Sequence, residues 1–220
     1  MKTNIDKPVI VIGAGGHAKV LIAALKRLGV RILGATDADA AKHGQTILDV
    51  PVLGGDEILA AHGLATVLLV NGLGTVDRTE ARRAIHERLT ARGFRFATVV
   101  DPLAHIAGPV EIGEGAQVLA GAVVQPGARL GVNCIVNTRA AIDHDCIIGA
   151  HAHIAPGATL SGSVRVGEGA HVGTGASVIH NVRIGAGAVV GAGAAVIRDI
   201  PDGAVAVGVP ARAFNNKRGK

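Results

Sequence analysis

From Ile106 onward an aliphatic residue returns at every sixth position, sixteen times without a miss, ending at Val196. The series is Ile106, Ile112, Val118, Val124, Leu130, Val136, Ile142, Ile148, Ile154, Leu160, Val166, Val172, Val178, Ile184, Val190 and Val196, with Gly, Ala, Asn and Asp between, as in IGEGAQ, VGEGAH and VGTGAS. A period of six fits neither the 3.6 of a helix nor the 2 of a half-buried strand. It fits a solenoid of short flat strands, each hexad one face and each set of three hexads, 18 residues, one triangular coil. The aliphatic residue points inward and stacks on its equivalents above and below, while Gly and Asn take corners that need positive φ. Sixteen hexads predict about five coils. The narrow interior agrees with a chain that is 49% hydrophobic yet has no Trp, no Tyr and only Phe94, Phe96 and Phe214.

The first hundred residues follow other periods. VIVIG reads as a buried strand, His17 to Leu28 as a helix, Arg31 to Ala35 and Thr66 to Val70 as further strands, with helical patterns at Asp56 to His62 and Thr79 to Arg92. That βαβαβα order predicts a small parallel sheet. A last short strand, Phe94 to Val99, leads into the solenoid, so the expected division is an α/β Rossmann-like domain over 1–101 and an all-β solenoid over 102–220, with the boundary at Asp101-Pro102. After Val196 the six-residue register lapses, and Pro201 and Pro210 interrupt regular structure in a closing segment that contains VGVPAR.

Bulk properties exclude several classes. The N-terminal stretch lacks the apolar run of a signal peptide, and nothing approaches the roughly 20 apolar residues of a membrane span, so the expected setting is cytoplasmic and no membrane partner is expected. Cys134 and Cys146 form neither a CxxC nor a paired framework and read as small core fillers. A net charge of +5 could serve nucleic acid, but the basic cluster is confined to the tail Lys217-Arg218-Gly219-Lys220 and aromatic residues to stack bases are nearly absent. Small anionic ligands, or an ordinary solvated surface, account for the charge.

Gly13-Ala14-Gly15-Gly16-His17-Ala18 follows the first strand and opens the first helix in a G-x-G-x-x-[GA] pattern, and Asp37 lies 22 residues beyond Gly15 at the end of the next strand. Glycines let a phosphate approach the backbone, and the first N–H groups of the helix point at it with the positive end of the dipole. A sheet of this size is one mononucleotide-binding half, so a mononucleotide or nucleotide-sugar is expected, with Asp37 or Asp39 accepting from base or ribose. Gly13, Gly15, Gly16, His17, Asp37, Asp39, Asn71 and Gly72 form the candidate substrate-binding set. The alternative is a tight strand-to-helix turn that binds nothing.

The hexads resemble those of the hexapeptide-repeat acyltransferases. That resemblance implies a left-handed parallel β-helix, against the usual right-handed crossover rule, a homotrimer with active sites between adjacent helices, and acetyl-CoA as co-substrate beside the Gly-x-Pro-Ala segment. Taken with VIGAGGHAKV, GATDAD, VPVLGG and DHDCIIG, the chain is similar over nearly its whole length to bacterial sugar acetyltransferases. These include sialic acid O-acetyltransferases and nucleotide-sugar 4-N-acetyltransferases that make bacillosamine and perosamine derivatives.

His144 stands in a hexad where the repeat normally places a small residue. Acetyl transfer to an amine requires removal of a proton as nitrogen attacks the thioester, which suits a near-neutral imidazole oriented by an acid. The resemblance puts the base on His144 and the assisting carboxylate on Asp145, where some relatives carry Glu. It assigns His153 a contact to the acetyl carbonyl, an electrophilic role. Gly173, Ala192 and Pro210 are further coenzyme candidates from their place on late coils. His151, His171 and His180 read as surface or corner residues.

Spacing puts His144 and His180 on one solenoid edge and His153 and His171 on another. Related trimers hold zinc with histidines at subunit interfaces, but that reading leaves the first domain without a purpose, so no metal is expected. The leading expectation is an N-acetyltransferase acting on the 4-amino group of a UDP- or GDP-linked amino-dideoxy sugar. The alternatives are a sugar O-acetyltransferase and a non-catalytic trimeric scaffold.

Overall fold

The computed structural model describes residues 5–75 and 78–215; the basic tail at 217–220 lies outside them. Each of the sixteen aliphatic residues is the second member of a two-residue strand. Strands 18 residues apart pair in parallel register, as in Val124↔Ile142↔Leu160 and Leu130↔Ile148↔Val166. The result is a triangular β-helix with three faces. We call face 1 the sheet containing Val118, Val136, Ile154 and Val172, face 2 that containing Val124 and Ile142, and face 3 that containing Leu130 and Ile148.

Inside, the aliphatic residues share the core with the residues two positions earlier, mostly Ala or Cys such as Ala152 before Ile154 and Cys134 before Val136, with Val110, Val164 and Val182 the larger exceptions, and no aromatic ring among the described residues enters this core. Burial pushes the Cys134 thiol up to about 12 and the Cys146 thiol up to about 11, so both are neutral fillers.

Two different demands place glycine at the corners. Gly115, Gly121, Gly157, Gly169, Gly175 and Gly187 have φ between 62° and 72°, as the repeat predicts. Gly113, Gly131, Gly149, Gly167 and Gly185, in contrast, stack immediately after face 3, where a Cβ would lie 2.4 to 2.7 Å from a backbone nitrogen of the next coil. Coils spaced like adjacent strands, about 4.8 Å apart, leave no room there for a side chain.

The coil begins earlier than the boundary expected at Asp101-Pro102: Val99–Val100 already pairs with Gln117–Val118 on face 1. Val100 precedes Ile106 by six residues, but the segment between them lacks the usual glycine corner. The expected strand from Phe94 to Val99 is reduced to a single bridge, Phe96 to Leu69, ahead of that pair. At the other end Ala204–Val207 extends face 1 and Arg212–Asn215 closes it antiparallel.

The first domain has strands β1 (Val9–Ile12), β2 (Ile32–Thr36), β3 (Thr46–Ile47), β4 (Val50–Gly54) and β5 (Leu68–Asn71), and helices α1 (Gly16–Arg27) and α2 (Glu80–Ala91). Sheet order is β3-β4-β2-β1-β5, all parallel except the β3-β4 hairpin, which was not expected. Segment Asp56–Ala61 is 3-10 rather than α. Val9 and Val11 face α1, which packs its Leu21, Ile22 and Leu25 in one cluster with Leu119 and Ile135 of the β-helix. Ile10 and Ile12 face the other way, toward Leu59, Leu89 and Phe96. Helix α1 is therefore the shared layer between sheet and solenoid. No helix among the described residues is long and apolar enough to cross a membrane.

The two kinds of glycine separate in stability. Gly187→Ala, with φ +62 and open space around it, is expected to lose about 1 to 2 kcal/mol. Gly149→Ala, whose Cβ would lie 2.6 Å from the Glu168 nitrogen, is expected to lose about 3 kcal/mol or more. Urea unfolding of the two variants side by side checks this; equal losses would refute the stacking argument.

Candidate functional site

The glycine turn between β1 and α1 forms the wall of a cavity of about 570 Å³ whose rim also carries Thr36, Asp37, His43, Asp56 and Glu57. Gly13 adopts φ +95, open to glycine but not to most residues, and a Cβ there would strike Leu73 at 2.8 Å. At Gly15 and Gly16 a Cβ would meet nothing within 4 Å, so these positions are bare on the cavity side. Gly15 caps α1 without a side-chain hydrogen bond, and no acidic residue occupies the first turn. The amides and dipole of the helix start thus face the cavity uncontested, a setting that suits a phosphate.

Asp37 lines the cavity, as the substrate-binding expectation requires, and it also holds the turn together. Its carboxylate accepts from the Ala14 amide at 2.8 Å, the Asp39 amide at 3.0 Å and Lys42 Nζ at 2.9 Å. Burial pushes its pKa up, but these bonds outweigh that and hold it below the usual carboxylate value. It clamps the turn to the end of β2. Asp39 is exposed, caps a short 3-10 turn through the Ala41 amide at 3.0 Å and does not line the cavity. Gly72 does line it, and its lack of Cβ is required by Ile12 O at 2.8 Å.

Asn71 is also placed differently: its side chain is buried in the joint between the domains, donating to Arg82 O at 3.0 Å and accepting from the Leu73 amide at 3.3 Å. Beside it Arg82 is fully buried without a carboxylate. Its guanidinium donates to Asn71 O and Leu73 O at 2.7 Å each and to Asn133 Oδ1 at 2.9 Å. Removal from water lowers its pKa to about 9. A buried cation held only by carbonyls ties the loop at 71–74 to the β-helix. Nothing in the sequence around Arg82 marks it, because its partners are main-chain oxygens.

A second cavity, about 580 Å³, opens over face 1 and shares Gly16, His17 and Gly74 with the first. His17 Nε2 bonds Gln117 Oε1 at 2.8 Å, so the imidazole stands as the partition between them. In this second cavity His153 and His171 are register partners on face 1, with ring centroids 4.9 Å apart. His153 Nδ1 meets Thr75 Oγ1 at 2.5 Å and Nε2 meets the Asn137 amide nitrogen at 2.9 Å. The Asn137 oxygen accepts from the Thr138 amide at 2.8 Å, so its NH₂ donates to Nε2 and the ring proton sits on Nδ1.

Burial first, then the neighbouring His171, His17 and Arg82, drive the His153 pKa down to about 2, and the ring is neutral. An electrophilic role would use the Nδ1 proton in place of Thr75. Thr75, Asn137, Gln117 and His171 were not singled out from the sequence as site residues. His171 and His151, expected at the surface or a corner, are 4% and 7% exposed; the six-residue period alone does not show what the first domain covers.

His144 sits on the corner between faces 2 and 3. Its Nδ1 bonds Asp145 Oδ2 at 2.8 Å, and the two side chains are 60% and 66% exposed. The bond to Asp145, helped by the charges of Asp143 and Asp145, raises the His144 pKa, while slight desolvation opposes it. Asp145 takes the corner φ of 58°, which an Asp tolerates. His144 lines neither of these cavities; one chain does not bring it to the second cavity.

Comparison with known proteins decides the lineage. The PglD N-terminal domain family matches residues 8–89. The acetyltransferase domain of PglB from Neisseria gonorrhoeae is 37% identical, with 95% of this chain and 100% of that one covered and a TM-score of 0.87. PerB from Caulobacter crescentus, in complex with CoA and GDP-perosamine, is 38% identical over 95% and 98%, TM-score 0.87. The chain belongs to the hexapeptide-repeat sugar acetyltransferase family. It is an acyltransferase, and its β-helix is the left-handed kind. WeeI from Acinetobacter baumannii, 25% identical over 94% and 100% with a TM-score of 0.84, has the same overall fold.

Among the described residues no group of three or more His, Cys, Asp or Glu is placed to hold a metal ion. The candidate coenzyme positions fall on the upper coils. Gly173 precedes Thr174, which lines the second cavity, and Ala192 stacks one coil beyond it. Pro210 lies in the exposed turn before the closing strand, where the Ala211 amide docks on Ala195 O at 2.8 Å. Gly173 also answers to packing, since its Cβ would lie 2.7 Å from the Ala192 nitrogen.

Burial and Arg82 lower His17 to about 4, and burial with His151 and Arg82 lowers His86 to about 4. With His153 these are folded values below the unfolded 6.5, so the unfolded chain takes up protons first. Their contribution is full above about pH 6.5 and is lost as pH falls toward 4. The urea midpoint is expected to drop over that window, and to drop less in His86→Phe; a variant slope equal to the parent's would exclude His86.

Proposed function

We propose that the protein transfers the acetyl group of acetyl-CoA to the 4-amino group of a UDP- or GDP-linked amino-dideoxy sugar. The observation that carries this reading is the partition formed by His17: a cavity suited to a nucleotide diphosphate leads directly into one on the β-helix. The nucleotide lies along the Gly13–Gly16 turn, its phosphates on the amides of Gly15, Gly16 and His17, and the sugar extends past His17 toward face 1. Acetyl-CoA lies along the corner that carries Thr138, Pro156 and Thr174, with its chain running up past Ala192 toward Pro210. Similar structures support both ligands: PerB from Caulobacter crescentus is in complex with CoA and GDP-perosamine, and the acetyltransferase domain of PglB from Neisseria gonorrhoeae is in complex with acetyl coenzyme A.

The amine nitrogen attacks the thioester carbonyl, the C–N bond forms and the C–S bond breaks. His144 Nε2 takes the ammonium proton and returns it to the departing thiolate, giving amide and free thiol. Asp145 fixes the tautomer through Nδ1 and stabilises the imidazolium. Because His144 lies on a different corner from the second cavity, it serves a neighbouring copy, and the working form is a homotrimer with sites between subunits.

Thiol release from acetyl-CoA is the direct test, with UDP- and GDP-linked 4-amino-4,6-dideoxy sugars and sialic acid as acceptors. Turnover on one amino sugar is expected, falling about 10²- to 10⁴-fold in His144→Ala. Turnover on sialic acid alone would reassign the protein to O-acetylation. The pH profile adds a sign: kcat/KM rises as His144 deprotonates, above the ordinary histidine value. In Asp145→Asn that limb moves to lower pH, because the bond that raises the pKa is gone.

Sharing of the site between copies is tested by co-expressing His144→Ala with a Gly16→Trp variant that blocks the cavity partition. Neither variant alone is active, whereas mixed assemblies regain part of the activity. Silent mixed assemblies would place the whole site in one chain.

A further inference from the structure

The corner that presents His144 is a column in which the coils are linked by amides: Asp145 N donates to Pro126 O, Ser163 N to His144 O and Asn181 N to Gly162 O. Pro126, His144, Gly162 and His180 therefore stack one above another. Three of the four carry substantial side chains, so the corner itself accepts bulk. Gly162 is the exception, and neither reason found elsewhere in the coil explains it. Its φ is outside the left-handed region. Nor is the next coil's backbone what a Cβ would strike first. The three nearest atoms are all in the His144 ring: Nε2 at 2.5 Å, Cε1 at 2.6 Å and Cδ2 at 3.1 Å.

We infer that Gly162 is a positioning residue for His144, its missing side chain being the notch into which the imidazole leans with its Nε2–Cε1 edge toward the glycine. The coil on the other side repeats the device. A Cβ at Gly127 would lie 2.4 Å from Asp145 Oδ1, although its column partners Asp145, Ser163 and Asn181 hold φ of 58° to 61° without being glycine. The pair is bracketed by two glycines, one coil away on each side. An exposed imidazole with a single hydrogen bond has few other restraints on its rotamer, and the notch supplies one.

This rests on His144 being the base. Gly162→Ala pushes the ring off its rotamer and away from Asp145. The expected result is a kcat lowered on the order of 10- to 100-fold, with KM for both substrates within about twofold and the thermal midpoint not lowered, since the site takes an ordinary φ.

Two readouts report position rather than structure. The acid limb of the pH–rate profile shifts to lower pH, and the His144 ring, followed by NMR in the intact protein, titrates at lower pH than in the parent. His180→Ala, in the same column but beyond the notch, changes neither. Wild-type kcat in Gly162→Ala alongside an inactive His144→Ala overturns the inference and leaves the base assignment standing. Full activity in His144→Ala overturns the base assignment itself. A lowered kcat with an unmoved His144 titration shows that the glycine acts on something other than the ring.

Discussion

Closure of the chain after 18 residues is the constraint from which the rest of the molecule follows. Once each coil lies at strand spacing on the last, a residue's surroundings are set by its neighbours 18 positions away as much as by its sequence neighbours. Five glycines after face 3 are imposed by that spacing. The same rule turns three separate choices, at 127, 144–145 and 162, into one local arrangement. A chemistry-bearing side chain on such a scaffold inherits rigid neighbours without any long-range packing.

The second organising interaction is the buried Arg82. Desolvating a guanidinium costs several kcal/mol unless its donors are satisfied, and here the acceptors are carbonyls from both halves of the chain: Asn71 and Leu73 from the first domain, Asn133 from the β-helix. The charge therefore favours one relative placement of the halves. Burial lowers the pKa of His17 and His153 most, and the Arg82 charge adds to it, so the partition residue and the face 1 histidine are neutral and act as fixed hydrogen-bonding groups. Cationic imidazoles there would bind anions indiscriminately.

Much of this was legible in the sequence because it is periodic. All sixteen aliphatic positions, the triangular coil and the pairing of His153 with His171 follow from counting sixes, and the glycine turn follows from its spacing after β1. What counting missed lies where periodicity says nothing. Val99–Val100 joins the coil without a glycine corner, the β3-β4 hairpin is too short to pattern, and the side chain of Asn71 is buried in the joint between the domains. Thr75, Asn137 and Gln117 are ordinary polar residues until the fold brings them together around His17 and His153. His151 does take a corner, with φ of 59°, but its burial, like that of His171 on face 1, comes from another domain and leaves no mark on a hexad.

The contrast between the two histidine environments has a chemical logic. His153 is enclosed, bonded at both nitrogens and depressed to about 2, so it cannot accept a proton in the working range. His144 is exposed, bonded at one nitrogen and raised by Asp145, with Nε2 left for a proton. Burial penalises the protonated form of an imidazole, whereas a bonded carboxylate favours it, so the two surroundings set the same side chain for opposite tasks. Exposure on the corner and the bond to Asp145 hold the His144 pKa above the ordinary histidine value. In the proposed site, where a neighbouring copy brings His144 to the second cavity, the imidazole that moves the proton and the neutral ones that line the cavity belong to different corners and faces of the coil, and each keeps the surroundings its task needs.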